Sequence, residues 1–458
     1  MVVLPGAVLA FLDATVVNVA LRRLSLDFGV SLGTLQWVVT SYLLALAAVT
    51  PVSAWLARRF GHRRIYAAAL GVFTLASVLC GLAPNVEALI VFRVAQGIGG
   101  GLMMPVGQTI LVTAAGRQGV ARVMSAIGVP MFLTPVVGPT IGGLLLDHAG
   151  WRWIFWINVP IGLAALCLAL RLLGRDRTVH AGALDVPGLL MVSTGVVGIT
   201  YGLARAGDEG TLLASGALLP LVPGLALTAG FAWWALRVPH PLLDLRLYRN
   251  MVFSAAAFVT FAMGAAIFGG MILMPLYYQL VRHEDAVGTG MLLAPQGVGA
   301  AIAMWLSGRL FERMGSLTAV VGGSVCMAAT VPFMLVSADS SYGALSLAMV
   351  VRGFGIGMAG MPAMTAAFRA LTPAQVEDAT PQLNMLQRVG GSLGAALFVV
   401  VLQQRLDDAG GSPSGQADAF GATFGWVLAA TAIATLPAVL MTALERRAGE
   451  APARAVRT

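Results

Sequence analysis

Two charged residues lie inside long apolar stretches of the sequence. Asp13 interrupts the first stretch, and Arg93 lies within the fourth. A charged side chain at the centre of a bilayer costs about 2.5–3.5 kcal/mol on insertion scales, so such residues usually face an interior cavity or a partner. Burial in apolar surroundings also favours the protonated form of a carboxyl group. We therefore expect Asp13 to take up and release protons; the alternative is a structural hydrogen bond to a neighbouring helix.

Arg93 keeps its positive charge, because a guanidinium does not lose its proton in proteins. Inside a membrane it must pair with a carboxylate, with backbone carbonyl oxygens or with water. A neighbouring arginine would hold Asp13 ionised until substrate or a conformational change altered the contact. The sequence leaves open whether the two side chains meet. Arg352 and Arg388 also lie in apolar stretches; for them, packing against carbonyl oxygens and a functional role are both open.

Glycine and proline are concentrated between residues 128 and 143. Such a density kinks a helix and lets other helices approach closely. One interpretation is pure packing, and the other is a hinge that controls access to a site inside the membrane. Gly97, close after Arg93, is a further candidate of this kind. The hinge candidates of the 128–143 stretch are Pro135, Gly138, Pro139, Gly142 and Gly143.

An internal repeat links the two halves of the chain. Residues 54–61 (AWLARRFG) and 308–315 (GRLFERMG) share a small residue, a leucine, a charge, an arginine and a glycine at the same spacing. Residues 93–105 and 352–362 are also alike. Repeated halves around a site at the membrane midplane are the architecture of secondary transporters. From the paired turns we take four gating candidates, Arg59, Gly61, Glu312 and Arg313.

The composition excludes a soluble protein. Hydrophobic residues make up 58% of the 458 residues and charged residues only 10%, whereas soluble domains carry about 25% charged residues. The mean hydropathy is +0.85. Long apolar runs in lipid must be helices, because backbone groups there need partners within the segment. The arginines cluster between these runs, which is how membrane proteins fix their orientation, so the net charge of +8 is no sign of nucleic-acid binding.

The apolar runs predict an all-α membrane protein with fourteen transmembrane helices. Most arginines follow every second helix or lie in the C-terminal tail, which places both termini in the cytoplasm. We expect a six-helix bundle at 1–173, two inserted helices with linkers at 174–250, a second six-helix bundle at 251–444 and a cytoplasmic tail at 445–458. The expected helices are 2–21, 36–56, 65–83, 87–113, 123–146, 153–173, 186–205, 212–236, 252–279, 287–309, 317–337, 343–368, 382–404 and 421–444.

Other function classes receive little support from the residues. The three cysteines lie in apolar runs without metal or CxxC spacing, and the five histidines fall in or beside expected loops. We therefore expect no bound metal, no cofactor and no enzymatic activity. A nucleotide-binding glycine-rich loop needs a lysine, and the chain has none. The loops are also too short to hold the domains of a receptor.

Several motifs together resemble the major facilitator superfamily, and within it the fourteen-helix drug:proton antiporters of the EmrB/QacA type. Residues 12–21 (LDATVVNVAL) are similar to the first-helix signature of that family. Arg93 with Gln96 and Gly97 is similar to its fourth-helix motif, which is linked to proton coupling. Residues 138–143 (GPTIGG) resemble the fifth-helix motif of antiporters, and residues 151–162 (WRWIFWINVPIG) resemble the start of its sixth helix.

This resemblance implies the major facilitator fold, with two six-helix halves plus two extra central helices. It also implies a proton-coupled exporter of lipophilic small molecules such as drugs or antibiotics. Its partners would be protons and the lipid bilayer, and it would be a monomer in a bacterial plasma membrane. The alternative is a uniporter or importer of a metabolite. Candidates for lining the substrate cavity are Phe11, Met103, Tyr277 and Gln296.

One motif departs from the family pattern. The turn after the second helix usually begins with glycine and carries an aspartate that helps to lock one conformation, but this chain has Ala54 and Arg58 there. Only the second copy keeps an acid, Glu312. The departure puts the lock in the first half in doubt.

Overall fold

The computed structural model describes residues 2–174, 182–409 and 412–455. Helices make up nearly all of this part of the chain, and it holds no β-strand. Thirteen helices there are long and apolar enough to cross a membrane. Together with the segment 117–148, the helices are α1 (Leu4–Phe28), α2 (Gly33–Phe60), α3 (His62–Gly81), α4 (Val86–Gly116), α5 (117–148), α6 (Arg152–Leu172), α7 (Val186–Asp208), α8 (Ser215–Ala235), α9 (Met251–Leu280), α10 (Gly288–Met314), α11 (Leu317–Met334), α12 (Tyr342–Arg369), α13 (Pro373–Asp408) and α14 (Pro413–Ala455).

Gly116 separates α4 from α5. Its backbone has φ 63° and ψ 175°, inside an otherwise continuous helical stretch from Val86 to His148. Positive φ is readily adopted only by a residue without a Cβ atom, so the helix direction changes at this glycine. Each of the fourteen expected helices therefore corresponds to one helical segment, and the expected all-helical fold is confirmed.

Several helices extend beyond the expected bounds. The first continues to Phe28 rather than residue 21, and α13 begins at Pro373 rather than residue 382. Hydropathy marks only the lipid-embedded part of a helix, whereas polar turns continue it and need caps. Thr372 caps α13, because its Oγ1 accepts a hydrogen bond from the backbone N–H of Gln375 over 3.4 Å. In return, Gln375 Oε1 accepts one from the backbone N–H of Thr372 over 3.0 Å. In the expected tail, the last helix continues to Ala455, and residues 456–458 lie outside the described part.

The helices pack in an order typical of two repeated bundles. In the first half α1 and α2 pack on the α4–α5 stretch, and in the second half α9 packs on α13 and α10 packs on α12. The inserted helices α7 and α8 pack on each other, and α7 also contacts α2 and α13. The inserted pair therefore touches both halves.

Close helix crossings in the second half depend on glycines. A Cβ atom added at Gly390 or Gly394 of α13 would collide with backbone carbonyl oxygens of α9. At Gly353 of α12, an added Cβ would collide with the carbonyl oxygen of Gln296 in α10. Small residues let membrane helices approach in this way. The crossing at Gly353 brings Gln296 next to Arg352.

The two sides of the molecule are distinguished by their turns. We call the side with the α2–α3 turn at Gly61 the Gly61 end, and the opposite side with the α5–α6 turn the Gly150 end. The start of α1 lies at the Gly61 end, because the Tyr66 hydroxyl near the start of α3 donates to Val3 O over 3.0 Å. The end of α14 lies there too, since Glu445 accepts a hydrogen bond from Ser316 N in the turn that repeats the α2–α3 turn.

Candidate functional site

Asp13 is buried inside the first bundle and accepts three hydrogen bonds. Its side chain lies in the middle of α1, and the residue is only 1% exposed. Arg93 Nη1 of α4 donates to Asp13 Oδ2 over 2.5 Å. Gln96 Nε2 of the same helix donates to Oδ1 over 2.8 Å, and Asn158 Nδ2 of α6 donates to Oδ1 over 2.9 Å. Three helices thus converge on one carboxylate.

Arg93 is held from several directions. Its Nε donates to the backbone carbonyl oxygen of Val38 in α2 over 3.0 Å. Its Nη1 also donates to Gln96 Oε1 over 2.6 Å. The guanidinium carbon lies 4.1 Å from the centre of the Tyr42 ring, a geometry in which the ring face attracts a cation. The position of Arg93 is therefore fixed by α1, α2 and its own helix.

Gln96 extends the cluster to α3, a fifth helix of the bundle. Its Nε2 also contacts Ser77 Oγ of α3 at 2.8 Å. Gln96 is 0% exposed, so its amide has no access to solvent and its partners are side chains. Because Gln96 contacts both Asp13 and Arg93, any movement of the ion pair must move this amide and its contact with α3.

The ion pair has an electrostatic consequence. Both partners are at most 1% exposed, and an ion pair buried in this way is strongly destabilised when one charge is lost, by about 3–5 kcal/mol. Loss of either charge alone would leave the other without its ionic partner, so the two charges depend on each other.

The glycine-rich part of α5 packs directly on the helix of Asp13. A Cβ atom added at Gly138 would collide with Thr15 Oγ1, and one added at Gly142 would lie 3.0 Å from Val16 Cγ1. At Gly143 an added Cβ would meet nothing within 4 Å. The side chains of Pro135 and Pro139 lie outside the described part. Of the hinge candidates, Gly138 and Gly142 are thus the ones that contact α1.

Gly97 likewise allows a close approach of two helices, at the crossing of α4 and α2. A Cβ atom added there would lie 2.5 Å from the carbonyl oxygen of Tyr42 and 2.9 Å from Cβ of Ala45. No larger residue fits without moving the two helices apart. The glycine thus keeps Tyr42 close to the Arg93 guanidinium.

The two halves contact each other near the Gly61 end. Arg58 Nη1 of α2 lies 2.5 Å from Asp378 Oδ1 of α13. His62 Nε2 lies 3.3 Å from Glu377 Oε1. The sequence put a lock in the first half in doubt; in the structure Arg58 forms an ionic contact, and its acid comes from the other half.

Further polar contacts between the halves lie deeper in the molecule. Asn384 Nδ2 of α13 donates to Gln108 Oε1 of α4 over 2.8 Å. The hydroxyl oxygens of Ser125 in α5 and Ser307 in α10 are 2.9 Å apart. All these contacts belong to the Gly61 side of the bundle, so the described arrangement is closed at that end.

The other gating candidates do not take part in this closure. Gly61 has φ 97° and forms the turn between α2 and α3. Arg59, Glu312 and Arg313 are exposed and make no ion pair with another described residue. The second copy of the motif therefore does not reproduce the Arg58–Asp378 contact.

A small cavity lies between the halves, lined by residues of α5, α9 and α10. Its volume is about 60 Å³. Among the expected cavity residues, Gln296 lines it. Met103 lies beside a much smaller space of about 10 Å³. The lining residues are Phe132, Gly270, Met271, Met274, Leu293, Gln296 and Gly297.

The remaining two candidates pack against protein. Phe11 lies against the large hydrophobic cluster at the interface of the halves. The Tyr277 hydroxyl donates to Ser337 O over 2.6 Å, and its ring centre lies 5.7 Å from that of Phe420. These contacts favour a packing role for Tyr277 near the Gly150 end.

Comparison with known proteins decides the family. The model of the Major Facilitator Superfamily matches residues 3–395, most of the chain. The chain belongs to the major facilitator superfamily. Two solved structures of this fold cover 96% of it: the human organic anion transporter MFSD10 (TETRAN), with a TM-score of 0.65 and 14% identity over 98% of that chain, and the proton:xylose symporter XylE, with a TM-score of 0.62 and 15% identity over 94% of that chain.

This major facilitator protein is more similar in sequence to bacterial relatives. The multidrug resistance protein B homolog of Mycobacterium tuberculosis is 39% identical over 403 residues, which cover 87% of this chain and 74% of the relative. The lincomycin resistance protein LmrB of Listeria monocytogenes is 30% identical over 85% of this chain and 82% of its own length. The multidrug export protein EmrB of Haemophilus influenzae is 28% identical over 86% and 78%.

Sequence reasoning missed part of this facilitator's central cluster. Asp13 and Arg93 are the two residues singled out, and the structure brings them together. Tyr42, Ser77 and Asn158, which complete the cluster, are polar residues inside apolar segments. Their polar character inside apolar segments was the one sign available in the sequence. Such residues are frequent in membrane helices, and only the packing of α2, α3 and α6 shows that these three belong to the cluster.

Proposed function

We propose that the chain is a proton-coupled exporter of lipophilic small molecules such as drugs or antibiotics. The observation that carries this proposal is the buried Asp13–Arg93 pair, in which one carboxylate receives hydrogen bonds from α4 and α6. A carboxylate inside a transporter that can exchange its partner for a proton is the minimum device for proton coupling. The relatives named for multidrug resistance and export support drugs as the substrate class.

In the proposed cycle, protonation of Asp13 neutralises the carboxylate and releases the Arg93 guanidinium from it. Arg93 keeps Val38 O and Gln96 Oε1 as acceptors, so its charge remains solvated by protein dipoles. The contact between Arg93 and α1 weakens. Helix α1 can then move relative to α4, together with the glycine-rich part of α5. Loss of the proton to the other side of the membrane restores the ion pair and resets the conformation.

A proton gradient supplies enough free energy for this export. One charge crossing 100 mV yields about 2.3 kcal/mol, and one pH unit yields about 1.4 kcal/mol. Together, about 3.7 kcal/mol sustains a gradient of several hundredfold for one neutral molecule per proton. No nucleotide is needed.

We further propose a bacterial plasma membrane, a monomer, and an orientation with the Gly61 end and both termini in the cytoplasm. The arginines Arg58, Arg59, Arg63 and Arg64 at the α2–α3 turn support this orientation. The described conformation is then closed towards the cytoplasm. The proposed organisation has bundles at 1–173 and 251–444, an inserted pair at 174–250 and a tail at 445–458, and the contact of α7 with both halves supports the insertion.

The experiment compares the wild type with Asp13→Asn in inverted membrane vesicles energised by respiration. A pH-sensitive dye reports proton release when anionic, neutral or cationic lipophilic compounds are added. We expect a compound-dependent signal in the wild type and none in Asp13→Asn, while downhill movement of the compound without a gradient persists in the variant. Full active transport by Asp13→Asn would remove Asp13 from coupling, and downhill transport alone in the wild type would make the protein a uniporter.

A further inference from the structure

Arg352 is a buried cation without an acidic partner. It lies on α12 and is 1% exposed. Its Nη1 donates to Gln296 Oε1 over a long 3.4 Å, and its Nε finds no hydrogen-bond partner in the described part of the chain. No ion pair joins it to a described carboxylate. A buried charge in this situation is costly, which calls for an explanation beyond packing.

Comparison of the two repeated halves shows that Arg352 lacks the carboxylate partner that Arg93 has. Arg93 holds the corresponding position on α4 of the first half, and its counter-charge Asp13 comes from α1, the first helix of that half. The first helix of the second half is α9, and there Gly270 faces Arg352: an added Cβ atom at Gly270 would touch Arg352 Nη2. The second half thus repeats the arginine but has a glycine in place of the carboxylate.

The space beside this arginine is a cavity. Gly270 and Gln296 both line the cavity of about 60 Å³ between the halves, and both contact Arg352. Whole ligand pockets measure about 300–1,000 Å³, so this space admits a small group such as a carboxylate rather than an entire drug. Its other walls are apolar, from Met271 and Met274 of α9 and Phe132 of the opposite half.

We propose that Arg352 and Gln296 bind the anionic group of the transported substrate, which is a lipophilic weak acid. The inference rests on the proposed export function and names its substrate class. A guanidinium presents parallel N–H donors that match a carboxylate, and the two terminal nitrogens of Arg352 lie against Gln296 and Gly270, which line the cavity. The Gln296 carbonyl oxygen is released when the anion replaces it. The methionine and phenylalanine walls contact the carbon atoms next to the anionic group.

The site lies where a transporter of this architecture needs it. Substrate sites of secondary transporters are near the membrane midplane, at the interface of the repeats, and Phe132 from the first half closes this cavity. Exchange of one proton inward for one anion outward moves two charges per cycle. Export of an anion would therefore depend more steeply on membrane potential than export of a neutral compound.

The experiment measures equilibrium binding of three probes with the same ring system: 1-pyrenebutyrate, its methyl ester, and a pyrenebutyl trimethylammonium salt. The full-length protein is placed in lipid nanodiscs, and energy transfer from tryptophan to pyrene is recorded with empty nanodiscs subtracted. We expect the wild type to bind the anion about tenfold or more tightly than the ester. Wild-type protein that binds none of the probes, or binds the ester or the cation as tightly as the anion, overturns the proposal.

Variants then assign the selectivity to the site. Arg352→Gln should remove the preference for the anion over the ester. Arg352→Lys keeps the positive charge without the parallel N–H donors of the guanidinium, so it should keep part of the preference. An intact preference in Arg352→Gln contradicts the proposal.

This assay uses no proton gradient, so its outcome is separate from that of the Asp13 experiment. Selective binding of pyrenebutyrate together with absent proton-driven transport would keep the anion site and reject the export function. Proton-driven transport of neutral or cationic compounds without selective anion binding would keep the export function and reject this site.

Discussion

Arg58 of α2 and Asp378 of α13 form an ion pair across the two halves, with 2.5 Å between Nη1 and Oδ1. Both side chains are about one quarter exposed, at 24% and 23%, so water screens the pair only in part. In the resembled family the position of Arg58 usually carries an acid, whereas here it carries a base and the acid lies in the second half. The contact closes the Gly61 end, whose other interhalf contact at this level joins His62 and Glu377.

Reversal of one charge in this pair should open the Gly61 end, and reversal of both should close it again. Arg58→Asp or Asp378→Arg places like charges side by side, whereas the double variant restores attraction. For a partly exposed pair we expect a coupling of about 1 kcal/mol. Spin labels on α3 and α13 at this end, measured by double electron–electron resonance, report the change in the distance between the halves.

Arg59→Asp is the matched control for the charge reversal. Arg59 is the neighbouring arginine, is exposed and makes no ion pair with another described residue, so its reversal should leave the distance distribution unchanged. An equal shift in Arg59→Asp would mean that the net charge of the turn, not the specific pair, determines closure. The pair would also lose its assigned role if the double variant behaved like the single ones.

The apolar pattern was sufficient to predict the helices, because membrane helices must satisfy their own backbone groups. It predicted where each helix lies but not where each one ends, since polar caps such as Thr372 lie outside the apolar run. The presence of Asp13 and Arg93 in the membrane pointed to the site. The link to Asn158, 145 residues away in sequence, and the acid that pairs with Arg58 depend on packing between distant segments, which periodicity does not encode.

Removal of Arg93 should destabilise the protein more than removal of the whole ion pair. Arg93→Gln leaves the Asp13 carboxylate buried without its counter-charge, which costs about 3–5 kcal/mol in comparable sites. The double variant Asp13→Asn/Arg93→Gln has no unpaired charge and should regain much of that stability without regaining proton-driven transport. Thermal unfolding in detergent micelles measures the order of the three proteins. A double variant less stable than Arg93→Gln would contradict the assignment of a strong buried pair.

Enlargement of Gly138 should impair transport, whereas the same change at Gly143 should not. In Gly138→Leu the new side chain collides with Thr15 of α1, and overpacking of this kind costs about 1–3 kcal/mol. The displaced helix carries Asp13, so we expect proton-driven export to fall at least about tenfold. Gly143→Leu lies on the same helix with nothing within 4 Å of an added Cβ atom. Initial rates in inverted vesicles, normalised to protein amount, compare the two, and equal rates would rule out a role for the α1–α5 contact.

A disulfide between Ser125→Cys and Ser307→Cys should block transport reversibly. The two hydroxyl oxygens are 2.9 Å apart on α5 and α10, so the substituted sulfurs need little movement to reach the disulfide bond length of about 2.05 Å. The crosslink would hold the halves together at the level just inside the Gly61 end. A transporter that alternates by moving its halves must separate them there once in each cycle.

The measurement is substrate transport before oxidation, after oxidation and after reduction with dithiothreitol, in a background where the exposed Cys167 is replaced by serine. Each single cysteine variant, treated with the same oxidant, controls for damage elsewhere, and counting of free thiols by mass confirms the crosslink. We expect transport to be lost only in the oxidised double variant and to return on reduction. Full transport by the crosslinked protein would show that Ser125 and Ser307 stay together throughout the cycle, and alternation would then have to occur without opening of the α5–α10 contact.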